Sequence, residues 1–231
     1  MHRVPRSLTR IGLPLAIVTV TAAALLALSA RPSDAETHTR MQMPMSSTGS
    51  VTHHQLVFRN RMRVLWEQHV AWTRMAIVSF DGGLPDLAAT ERRLLRNQGD
   101  IGDAIAPFYG RAAGDQLTAL LRRHILIAVA ILGDAKNGDQ TALDADLARW
   151  TRNANQIAAF LHAANPDNWS LADMRSMMHA HLRLTTAEAL AELNGDYAGS
   201  VSAYDRVEQE ILGMSDMLST GIIRQFPDRF A

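Results

Sequence analysis

From about residue 52 onward, apolar residues recur at alternating steps of three and four, the spacing that lines one face of a helix with 3.6 residues per turn. The first stripe, over roughly 52 to 80, is Phe58, Met62, Leu65, His69, Trp72 and Ala76, and Asp81-Gly82-Gly83-Leu84-Pro85-Asp86 breaks it. A second helix, about 86 to 107, carries Leu94, Gln98, Ile101 and Ile105 before Pro107 and Gly110. The third, about 112 to 136, carries Leu117, Leu120, His124, Ile127 and Ile131; its segment ILIAVAIL is apolar all round and predicts a central position. After Asn137-Gly138-Asp139, a fourth helix runs to about 163 through Leu143, Leu147, Trp150, Ala154, Ile157 and Leu161. A Ser170 cap opens the fifth, 171 to 194, with Met174, Met178, His181 and Thr185. The sixth, 197 to 225, carries Val201, Tyr204, Glu208, Ile211, Ser215, Leu218 and Ile222 and stops at Pro227.

No segment alternates with period two, and the connections are short. The pattern therefore predicts an all-α protein, an antiparallel up-and-down bundle of about six helices over residues 52–231. The triplet WTR occurs at Trp72-Thr73-Arg74 and again at Trp150-Thr151-Arg152, and Ala113-Gly114 and Ala198-Gly199 open the third and sixth helices. These matches suggest two three-helix halves.

Four stripes are interrupted near their middle by an ionisable residue: His69, His124, His181 and Glu208. A rise of 1.5 Å per residue and alternating helix directions put His69 roughly 18 Å from one end of the bundle, His124 roughly 14 Å, and His181 and Glu208 roughly 17 Å. All four fall in one layer. Three imidazoles and a carboxylate form a donor set suited to copper, zinc or iron, and helical bundles build such sites in their cores. Gln98 and Asp100 fall near the same depth, where they could orient an imidazole N–H from behind. The competing reading is a metal-free polar layer that fixes helix register in a cell-envelope structural or interaction protein.

Other chemistry is thinly represented. Neither half contains the Glu-x-x-His motif of di-iron bundles, and HExxH, a glycine-rich phosphate loop and Gly-x-Ser-x-Gly are all missing from the sequence. No catalytic residue is assigned, so binding or handling of an ion is favoured over turnover. His179 and His181 cannot share an ion from one helix face, because positions two apart diverge by about 200°.

The N-terminus changes the setting. Arg3, Arg6 and Arg10 precede an uncharged run from Ile11 to Ala30, and Ser33-Asp34-Ala35 forms a small-x-small cleavage pattern. Residues 1–35 are expected to be a signal peptide or an N-terminal membrane anchor, since about 20 apolar residues suffice to span a bilayer. The protein is then exported: periplasmic, extracellular or tethered on the outer side of the membrane. Residues 36–51 read as a flexible linker rich in Met, His and Ser; His38, Met41, Met43 and Met45 form a secondary soft-metal candidate that favours copper. Without residues 1–35 the chain keeps 19 of its 23 basic and 22 of its 23 acidic residues, which argues against a nucleic-acid partner. There is no cysteine, hence no disulfide and no thiolate ligand.

The segments LWEQHVAWTR, RLLRNQGDIGDAIAPFYG, LLRRHILIA, ANPDNW, MHAHLRLTT and GIIRQFP together resemble a family of uncharacterised exported bacterial all-helical proteins, over about residues 60 to 230. The resemblance implies the all-helical fold and export but little chemistry. Some members carry a glycosyltransferase label, for which this sequence offers no nucleotide-sugar motif. Members can have histidine where Glu208 stands, which implies a departure at one of the four expected ligands.

Overall fold

A computed structural model describes residues 51–231. They form six α-helices: α1 (His53–Asp81), α2 (Leu87–Tyr109), α3 (Arg111–Asn137), α4 (Gln140–Ala164), α5 (Leu171–Leu193) and α6 (Tyr197–Gln225), followed by a 3-10 turn at Pro227–Arg229. There is no strand among the described residues. The all-α bundle is as the periodicity requires.

Local chemistry sets the helix ends. Side-chain oxygens of Thr52, Asp139, Ser170 and Asp196 accept from backbone N–H groups three residues on and open α1, α4, α5 and α6. Gly138 ends α3 in the left-handed region at φ 68°, where a side chain would be strained. Pro107 does not end α2, which runs on to Tyr109 and stops at Gly110. At the other end of the chain, the Thr52 hydroxyl donates to the Phe230 carbonyl at 2.6 Å and ties α1 to the C-terminal turn.

Each helix packs on the next, and α6 returns to α1, so the six form a closed ring with α5 also meeting α1 and α3 inside. The expectation of a central α3 fails. One flank of it faces outward, with Leu126 59 % exposed, because α3 belongs to the ring wall like its neighbours.

The crossing of α2 on α3 is close at two glycines. A Cβ on Gly102 would stand 2.5 Å from the Gly114 carbonyl oxygen, and one on Gly114 would stand 2.7 Å from that of Gly102. Gly102→Ala should therefore lower stability by about 2 kcal/mol through overpacking, although alanine is by itself the better helix former. Urea unfolding measures it; an unchanged midpoint would mean that the two helices separate without loss.

The interior has a threefold register that replaces the expected two halves. Relative to His69, His124 and His181, the residues seven before are Met62, Leu117 and Met174, and those three before are Trp66, Leu121 and Met178. One position after come Val70, Ile125 and Leu182, and eight after come Ile77, Leu132 and Ala189; all twelve are buried. The unit is thus a two-helix hairpin used three times. The two WTR triplets are not equivalent: Trp72 sits under the Arg93 guanidinium on α1, whereas Trp150 is buried and donates from Nε1 to the His124 carbonyl on α3.

Candidate metal centre

The odd-numbered helices each bring one histidine inward. His69, His124 and His181 are 3–4 % exposed, held there by the apolar residues on either side of them along their own stripes. The ring centroids of His69 and His181 lie 5.7 Å apart and those of His124 and His181 6.2 Å apart. His181 thus stands close to both other imidazoles, and all three line one small cavity, without the Glu208 that the layer arithmetic placed among them.

Each even-numbered helix supplies the partner for one Nδ1 atom, always 29 residues after the histidine: Gln98 for His69, Asn153 for His124 and Glu210 for His181. The three partners set different proton positions. Asn153 donates from Nδ2 to the Leu120 carbonyl, so its Oδ1, 2.8 Å from His124 Nδ1, accepts an Nδ1–H. Neutral His124 is thereby left with a bare lone pair on Nε2, which is buried without a partner. His181 Nδ1 donates to Glu210 Oε2 at 3.1 Å, and Glu210 Oε1 is likewise buried and unpartnered. Gln98 behaves in the opposite sense. Its Nε2 donates to the Leu94 carbonyl at 2.8 Å, which turns the amide N–H side towards His69 Nδ1 at 3.2 Å. His69 therefore accepts at Nδ1 and carries its proton on Nε2.

Burial dominates the electrostatics. It holds His69 well below its usual 6.5, helped by the neighbouring His181 and His124 and opposed by the Gln98 hydrogen bond. His124 is pushed down to about 3 by burial and then by His181. Both rings are neutral at pH 7, the state in which an imidazole nitrogen can bind an ion. The three histidines line a cavity of about 30 Å³ whose other walls are apolar, among them Met62, Trp66, Met178 and Met214. That is room for one water or one ion.

Two expected participants are displaced. Glu208 is half-buried on the α6 flank near Tyr204, while the inward face of α6 is Val207, Ile211, Met214 and Leu218. The carboxylate in contact with the cluster is Glu210, two residues on and about 200° around the helix from Glu208. Asp100 points outward, 42 % exposed and 3.9 Å from Arg93, so it does not support an imidazole. Gln98 does reach the site, on His69. His38, Met41, Met43 and Met45 lie outside the described residues. His179 bonds to Asn155 and stands apart from His181, as the two-residue spacing requires.

Glu210 was missed because it flanks the stripe instead of interrupting it. The 29-residue step from His124 to Asn153, applied to His181, would have found it. As placed, no three His, Asp or Glu side chains among the described residues stand close enough to share one ion. Comparison with known protein families, with curated proteins and with solved structures finds no match to this chain.

Proposed function

We propose that this is an exported helical-bundle protein that binds one transition-metal ion (copper, zinc or iron) at the centre of the bundle. The donors are Nε2 of His124, His181 and His69, with the Glu210 carboxylate holding His181 at Nδ1 from behind, and the role is binding or handling of the ion. The observation that carries this reading is the meeting of three imidazoles from three helices around a small cavity, with His124 Nε2 unpartnered. His124 and His181 already have Nδ1–H engaged from behind, the arrangement that metal-bound imidazoles use. Two imidazoles on one ion place their centroids roughly 5 Å apart for metal–nitrogen bonds of about 2.0–2.1 Å, so loading draws these rings inward by about 1 Å. The enclosure leaves no room for a substrate beside the ion, which favours storage or transfer over turnover.

One observation favours a second reading, a metal-free polar layer that fixes helix register. Gln98 presents N–H to His69 Nδ1, and coordination through His69 Nε2 would require that amide to turn its oxygen towards the ring, against the Leu94 carbonyl. His69 is accordingly the weakest of the three donors.

Metal analysis decides between the two. The protein, purified without a histidine tag and reconstituted separately with copper, zinc and iron salts, should retain about one equivalent of at least one of them, as the single enclosed site of this donor set requires. His124→Ala should lose that ion, and Glu208→Gln should keep it. Substoichiometric retention of all three metals by the wild type would leave the polar layer as the function of these histidines.

A further inference from the structure

The α5 helix carries a second run of polar residues into the core. His181, Thr185, Glu188 and Glu192 stand four, three and four residues apart, which keeps them on one face along roughly 16 Å of helix. All four are buried, with exposures of 4, 7, 1 and 5 %. Two carboxylates are an unusual burden for a core, and among the described residues the cation paired with them is Arg74 on α1. Its Nη1 donates to Glu188 Oε1 at 3.0 Å and to Ser200 Oγ at 2.9 Å, while Nη2 is 3.8 Å from Glu192 Oε2. Glu192 Oε2 has no hydrogen-bond partner.

Thr185 is the independent observation. Its counterpart on α1, Thr73, closes its hydroxyl on the His69 carbonyl four residues back, the usual resting place for a helical threonine. Thr185 Oγ1 makes no such bond and is buried without a partner, on the face between His181 and Glu188. At the other end, the Arg74 side chain is 22 % exposed and its guanidinium lies over the Tyr204 ring. Tyr204 is held above its usual 10 by burial and then by the negative charge of Glu208, Glu188 and Glu67; Glu67 is exposed and Glu208 half-buried. A continuous polar line therefore runs from an acidic rim to the histidine cluster.

We propose that this line is the route by which a metal cation reaches the histidines. Glu67 and Glu208 gather the cation at the rim, Glu188 and Glu192 take it in as Arg74 swings away towards solvent, and the Thr185 hydroxyl passes it to His181. The route explains why the interior keeps more carboxylates than cations, and why a hydroxyl is left open beside the site. It rests on the metal-binding reading above.

Trp66 packs edge-on against His69 at 5.9 Å and Trp150 lies 4.9 Å from His124, so tryptophan fluorescence reports arrival at the site. The experiment is stopped-flow mixing of the full chain with cupric chloride and, in parallel, with zinc chloride, with equilibrium affinity measured separately by competition. Glu188→Gln, which keeps an oxygen for Arg74, and Thr185→Val should each slow loading about tenfold while affinity changes by less than about threefold, since access groups act on the association rate. Thr185→Val should also raise stability, because it removes a buried hydroxyl that has no partner; folding failure is therefore not expected of it. Loading of both variants at the wild-type rate would overturn the route and leave the metal site standing. Failure of the wild type to retain any of copper, zinc and iron in the metal analysis would overturn the metal reading, and the route with it.

Discussion

Acidification from pH 7 towards pH 3 should unfold the metal-free protein, with the buried histidines as a main cause. The folded state holds His69 well below 6.5 and His124 at about 3, because burial and neighbouring imidazoles disfavour the charged ring. A histidine whose folded value is depressed contributes stability that is present above its unfolded value of about 6.5 and is lost as pH falls towards the folded value. Each unit of the gap is about 1.4 kcal/mol, so His124 alone withdraws several kcal/mol by pH 3, a large share of the 5–15 kcal/mol typical of a domain. Glu188 works in the opposite direction. Burial raises it from 4.5 to about 6 against the pull of Arg74, so its contribution is fully present below 4.5 and lost as pH rises through 6. It offsets roughly 2 kcal/mol of the histidine effect in that window. Urea unfolding at pH 7, 5.5 and 4 measures the balance. His124→Gln keeps a neutral group beside Asn153 and should be slightly less stable at pH 7 yet flatter across the acid range by several kcal/mol. Equal acid slopes for variant and wild type would refute the assignment, since all other carboxylates titrate alike in both.

Arg74→Ala should be the most damaging single truncation in the polar line. Among the described residues it strips the one paired cation from Glu188, whose side chain is 1 % exposed, and leaves Glu192 beside it at 7 %. Breaking one side of a buried ion pair typically removes about 3–5 kcal/mol, because the remaining charge is neither solvated nor paired. At pH 5 the loss should shrink, since Glu188 takes up its proton below about 6 and no longer needs the guanidinium. A double variant, Arg74→Met with Glu188→Gln, should recover much of the stability, and the non-additivity is the readout. A loss under about 1 kcal/mol at pH 7, the level of an exposed pair, would show that solvent reaches these carboxylates.

Much of the architecture was legible from local pattern. Six stripes at the helical period, interrupted by Asp-Gly-Gly, Asn-Gly-Asp and Ser caps, specify six helices because capping and amphipathicity are properties of short segments. The three histidines were legible for the same reason. A ring flanked on its own face by Trp66 and Val70, by Leu121 and Ile125, or by Met178 and Leu182 has nowhere to go but inward.

The carboxylate was not legible, and the cause is geometric. Glu208 and Glu210 both border the apolar face of α6, and a helix turns about 200° between them, so a small error in the inward direction exchanges one for the other. That direction is set by what α6 packs against, α1 and α5, and not by α6 alone. The partners of the imidazoles belong to the same class of fact. Whether Gln98 offers its N–H or its oxygen to His69 depends on the Leu94 carbonyl one turn back, and proton placement follows from it.

Helix number, helix ends and the inward turn of His69, His124 and His181 thus come from the order of residues along the chain, because each depends on neighbours within two turns. The closed ring of three hairpins, the choice of Glu210 over Glu208, the proton positions on the imidazoles and the pairing of Arg74 with Glu188 come from packing. Each of those joins residues on different helices, 29 positions apart for His181 and Glu210 and 114 for Arg74 and Glu188, distances over which no local period carries information.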